Sequence, residues 1–153
     1  MGVKTAFLQG NLEEQIYMRQ PDGYVSEEFP DHVCKLKKSI YGSKQPACAG
    51  CWNNAIDTFL KSNSCKQIEF DPCLYMKSIE DQNGIIKFVI LSIHVNDILL
   101  FSNDIPMLND EKKSIALKFK IDDMGEVKHV LGMLIKRDRT RGKMTISQSK
   151  YRL

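Results

Sequence analysis

With 153 residues the chain has material for one domain with a sizeable core. An apolar share of 42% beside a charged share of 27% excludes a disordered chain, and a net charge of +3 is too mild to demand a polyanionic partner. The longest apolar stretch, Phe88 to Phe101, is broken by His94, Asn96 and Asp97 and falls short of the roughly 20 apolar residues a membrane span needs, so no membrane partner is expected.

Met1-Gly2-Val3-Lys4 is not a basic region followed by an apolar run, so no secretory signal is expected. The five cysteines are odd in number and cannot all pair within one chain. Free thiols in a reducing compartment follow, and with them an intracellular protein, cytoplasmic or nuclear rather than secreted.

In chain order, Gln15 to Arg19 shows a short strand-like alternation, and Pro21-Asp22-Gly23 closes it as a turn. Ser26 to Asp31 is polar and predicted as loop, and Val33 to Ile40 is a short basic segment. Trp52, Ile56, Phe59 and Leu60 recur on one face of a predicted helix. Ile85 to Ile93 and Ile98 to Phe101 are β-rich runs, and the Asn96-Asp97 pair between them suits a tight hairpin connection. A second helix is predicted from near Asp104, with Pro106 in its first turn, Leu108, Ile115 and Phe119 on one side, and Lys112, Lys113 and Lys118 solvated. A last hairpin joins Val130 to Ile135 with Lys143 to Ile146, Gly142 supplying the turn. Two hairpins and two amphipathic helices predict an α+β fold, an antiparallel sheet with helices packed on one face.

Particular residues go further than periodicity. Val3-Lys4-Thr5-Ala6-Phe7-Leu8-Gln9-Gly10 and Glu14 through Tyr24 resemble the opening palm motif of copia-type retrotransposon reverse transcriptases. Val33 through Gln45 is similar to that family's next motif, where the usual run is Tyr-Gly-Leu-Lys-Gln. His94-Val95-Asn96-Asp97-Ile98-Leu99-Leu100 falls where the family has Tyr-Val-Asp-Asp-Ile-Leu. Phe119 through Gly132 and Ile146 through Tyr151 resemble its closing segments, so the motifs occur in order along nearly the whole chain.

The resemblance implies an RNA-directed DNA polymerase palm, part of a Pol polyprotein, whose partners are an RNA or DNA template-primer and deoxynucleoside triphosphates. Residues 1–153 would be a partial palm domain without fingers, thumb or RNase H. Nucleotide addition is an in-line phosphoryl transfer assisted by two metal ions about 3.5–4 Å apart, magnesium in this family. Three family aspartates hold them, one directly before Val-Lys-Thr-Ala-Phe and two at the hairpin.

In this chain those positions are Gly2, Asn96 and Asp97. Gly2 has no ligand, Asn96 is a neutral amide, and only Asp97 retains a carboxylate, so ordinary turnover is expected to be lost and no metal to bind productively. Read without the resemblance, Asn96-Asp97 is simply a turn-forming pair. His94 stands where the family has tyrosine, and a lone histidine beside Asp97 is weak ground for new metal chemistry. The resemblance places Phe7 as the aromatic gate beneath the sugar and Gln45 against the incoming nucleotide, with a core phenylalanine and a surface glutamine as the plain readings of the same residues.

Beyond Gln45 the chain departs from the family: its arginine is absent and the spacing to Trp52 is longer. The departure creates Cys48-Ala49-Gly50-Cys51, which with Cys65 and Cys73 matches known zinc spacings poorly and reads as accidental. Lys37, Lys38, Lys44, Arg137, Arg139 and Arg141 are candidates for a nucleic-acid backbone, diluted by Glu111, Asp122 and Asp123, and Asp122-Asp123 reads as a solvated loop pair. The sequence therefore leads to a catalytically inactive reverse transcriptase palm fragment. A domesticated, non-catalytic nucleic-acid-binding module is the alternative.

Overall fold

The computed structural model describes residues 1–6, 14–38 and 46–149, with the side chains of 46–50 outside that description. Phe7, Lys44 and Gln45 therefore lie outside the described residues. The described chain runs β1 (Gly2–Val3), β2 (Tyr17–Arg19), β3 (Val33–Lys35), α1 (Pro46–Ser62), β4 (Lys66–Ile68), β5 (Asp71–Glu80), β6 (Ile86–His94), β7 (Asp97–Ser102), α2 (Ile105–Lys118), β8 (Ile121–Asp122), β9 (His129–Val130), β10 (Met133–Asp138) and β11 (Lys143–Ser147).

The main sheet has the order β4-β5-β6-β7-β1-β8, and every pair in it is antiparallel. Side chains alternate across it, so Val89, Leu91 and Ile93 of β6 and Ile98 of β7 enter the core. The helices meet them on that one face: α1 contributes Trp52, Ile56 and Leu60, α2 contributes Ile115, and Phe119 follows directly. Trp52 and Phe59 both set a ring edge-to-face against Phe119, at 5.2 and 5.3 Å between centroids. This is the α+β arrangement that the alternating and helical periodicities predict.

Helix α2 starts where its sequence says it must. Asp104 caps it by accepting a hydrogen bond from the Met107 amide at 2.8 Å, and proline occupies the first turn, where its missing N–H costs nothing. The predicted turn at Pro21 also forms: Tyr24 donates to the Pro21 carbonyl at 3.0 Å, and Gly23 takes φ +81°. Gln20 organises the loop that follows, its amide donating to the Phe29 and His32 carbonyls at 2.8 Å each.

Four details differ from the sequence reading. The first hairpin turns on Val95-Asn96, and Asp97 already belongs to β7, paired with His94. The last hairpin joins Met133–Asp138 to Lys143–Ser147. Val130 belongs to a separate strand, because Leu131 and Gly132 at φ +47° and +74° reverse the chain there. The ten-residue strand β5 has no equivalent among the predicted elements. Lys112 is not fully solvated but pairs with Asp123 at 3.0 Å, folding α2 back onto the segment after β8.

Candidate active site

Strand β1 lies between β7 and β8, and its register places Gly2 directly opposite Asp97 on one side and Asp122 on the other. Directly paired residues of antiparallel strands project to the same face. Val3 and Ile98 turn into the core and Ile121 packs against it, so the Asp97-Gly2-Asp122 row lies on the opposite face, away from the helices. Asp122 is thus a strand residue rather than a loop residue, and it is paired with Lys4 at 2.9 Å. Asp123 accepts from the Gly125 amide at 3.0 Å and binds Lys112; the amide first and the ammonium second hold its carboxyl below the ordinary carboxylate range.

The space above Gly2 is occupied. A Cβ built there would stand 3.2 Å from the Met124 sulfur, the far end of a flexible and largely exposed side chain. A Cβ at position 2 fits once Met124 shifts by a few tenths of an ångström.

The hairpin turn is held from two directions. The Val3 amide donates to the Asn96 carbonyl at 2.7 Å, and the Trp52 indole donates to the Val95 carbonyl at 2.6 Å. Val95 itself takes φ +52°. A β-branched residue in that region carries strain on the order of 1–3 kcal/mol, which the surrounding contacts must hold in place. His94 and Asn96 are exposed and Asp97 is half-buried.

Two divalent cations require several hard oxygen ligands bearing negative charge. Gly2, Asn96 and Asp97 offer one carboxylate and one neutral amide oxygen, which does not fit a two-metal centre. Among the described residues no three or more His, Cys, Asp or Glu side chains gather as a metal group.

The basic residues of the last hairpin divide between its two faces, and Lys136 and Lys143 join those named from sequence. In the β10–β11 hairpin, Lys136 pairs with Thr145 and shares its face with Lys143, whereas Arg137 pairs with Met144 on the other face. Arg139 binds Glu126 at 2.8 Å and Arg141 approaches Asp138 at 3.8 Å. Lys37 and Lys38 are exposed. Cys34, Cys51, Cys65 and Cys73 are free thiols, and Cys65 is buried beside Glu111.

Sequence reasoning missed the approach of Trp52 to Val95, the pairing of Asp122 with Gly2, and Met124 above them. Trp52 was legible only as part of an apolar helix face. Its indole partner lies 43 residues along the chain, and no local pattern encodes that contact.

The reverse transcriptase (RNA-dependent DNA polymerase) family model matches residues 1–152. The chain belongs to the reverse transcriptase family of copia-type retrotransposons. It is 40% identical over 151 residues to the retrovirus-related Pol polyprotein from transposon TNT 1-94 of Nicotiana tabacum, covering 99% of this chain and 11% of the polyprotein. Against the Pol polyprotein from transposon RE1 of Arabidopsis thaliana identity is 32%, covering 99% of this chain and 10% of the relative. A transposon Ty5-1 protein of Saccharomyces cerevisiae is 30% identical, covering 99% of this chain and 46% of its own length. The chain thus spans about a tenth of the two plant polyproteins and less than half of the yeast protein. No solved structure matches it. Among the described residues no helix is long and apolar enough to cross a membrane.

Proposed function

We propose that residues 1–153 are a palm-derived unit of a copia-type reverse transcriptase that no longer polymerises DNA. One observation carries this reading: Gly2 is the direct cross-strand partner of Asp97. Carboxylates at those two positions would stand side by side on the face of the sheet away from the helices, close enough to share a cation. With glycine at one position and Asn96 in the adjoining turn, a single charged ligand is left. Lost charge at a site that must gather two divalent ions is not replaced by an amide oxygen. Asp122 lies on the far side of Gly2 and is ion-paired with Lys4 at 2.9 Å.

Primer extension on an RNA template, with magnesium and with manganese, tests the reading. The natural chain is compared with the Gly2→Asp, Asn96→Asp double variant. A silent natural chain and a variant that extends the primer, or that gains manganese binding by calorimetry, support it. Extension by the natural chain overturns it.

A further inference from the structure

We propose that Trp52 is the positioning residue of the hairpin, holding the Val95-Asn96 turn, and with it Asp97, against β1. The proposal rests on the reading of Asp97 as the surviving residue of the former metal site. It concerns the turn's geometry, which exists whether or not the site turns over.

Three observations meet at this contact. Val95 is a β-branched residue at φ +52°, a conformation suited to glycine or asparagine that valine does not hold unaided. Its carbonyl receives the Trp52 indole N–H at 2.6 Å. Trp52 is itself immobilised, 1% exposed and edge-on to Phe119, so the donor has a fixed position to which the turn must come. On the other side of the turn the Val3 amide donates to the Asn96 carbonyl at 2.7 Å and the Ile98 amide donates to the Met1 carbonyl at 2.9 Å. The two successive carbonyls of the turn are thus taken by two different elements, α1 and β1. The helix clamp sets where the turn sits, and the strand clamp sets Gly2 against Asp97. A buried indole N–H needs an acceptor, and here the acceptor is the carbonyl of the one turn residue at positive φ, which ties the core to the turn.

Trp52 is the chain's single tryptophan, so its indole proton is an unambiguous probe. The first measurement is hydrogen exchange of that proton by NMR in the natural, full chain. Protection well above that of free tryptophan is expected; exchange at the free rate overturns the proposal without any variant. The second is Trp52→Phe, which keeps an aromatic body against Phe119 and deletes the N–H. Exchange of the Val3 and Ile98 amides is expected to rise about tenfold more than that of core amides in β6, the change one lost hydrogen bond produces. A rise shared equally by all amides indicates a purely structural loss and overturns the proposal.

The third is a double-mutant cycle with Val95→Gly, which lets the turn adopt its conformation without strain. The effect of Trp52→Phe on the two amides is expected to shrink severalfold in that background. Additive effects mean the indole does not hold Val95, and also overturn the proposal. None of these readouts depends on polymerisation, so an unexpectedly active natural chain would revise the proposed function and leave this test intact.

Discussion

Gly2 and Asp97 sit directly opposite each other in adjacent antiparallel strands, and Asp122 faces Gly2 from the other side. An aspartate introduced at position 2 therefore enters a row with a carboxylate on either flank and must move the Met124 sulfur, 3.2 Å from its Cβ. Like charges placed directly opposite destabilise a sheet, each pair by roughly 0.2–1 kcal/mol. Gly2→Asp with Asn96→Asp is expected to lower the melting temperature without divalent ions and to recover it with manganese. The natural chain's melting temperature is expected to be indifferent to manganese. Thermal denaturation of both proteins across a manganese titration checks this.

The ion pair between Glu111 and Lys77, at 3.0 Å, is lopsided: Glu111 is 3% exposed and Lys77 is 25% exposed. Removing the lysine strands a buried carboxylate, whereas removing the carboxylate leaves an ammonium that still reaches water. Lys77→Met is expected to cost about 3 kcal/mol at neutral pH and Glu111→Gln markedly less. Urea unfolding of the two variants at neutral pH decides it.

Burial, and secondarily the charge of Glu111, pushes the Cys65 thiol up to about 12. In the unfolded chain it ionises near its ordinary value of 9.0. Between those values the folded state holds a proton that the unfolded state has lost, so stability falls as pH rises through this window. Tyr75 acts in the same sense, its phenol pushed up by burial and by its hydrogen bond to Asp57 at 2.8 Å. Cys65→Ala is expected to flatten the alkaline slope of stability while lowering stability at pH 7, as read by denaturant unfolding from pH 8 upward.

Lys136 and Lys143 share one face of the last hairpin with Thr145, away from Met144 and Ile146. If that face meets a phosphate backbone, Lys136→Ala with Lys143→Ala weakens binding to primer-template of any sequence. It also reduces the slope of log affinity against log salt by about 2. Arg137→Ala, on the opposite face, is expected to leave the slope unchanged. Fluorescence anisotropy over a salt series separates the two.

Elements whose evidence is local were legible from residues alone. Helix α1 announced itself through Trp52, Ile56 and Leu60, and α2 through Asp104 and Pro106, because a helix face and a cap are encoded within a few residues. Strand β5 was not, because its short apolar run, Cys73 to Met76, follows Asp71-Pro72 and shows no in-out alternation, and only Tyr75 in it is fully buried. Glu111 read only as an acidic charge diluting the basic field, because its partner Lys77 lies 34 residues away on a strand.

At the candidate site the division is the same. The sequence by itself determined the family motifs and the chemistry each side chain can perform: no ligand at Gly2, an amide at Asn96, a carboxylate at Asp97. Only the tertiary structure decided that Gly2 stands between Asp97 and Asp122, that Met124 covers it, and that Trp52 reaches across to the Val95 carbonyl. Side-chain chemistry is a property of one residue. Register and reach belong to strands and helices distant in sequence, and they are set only when the core brings those elements together.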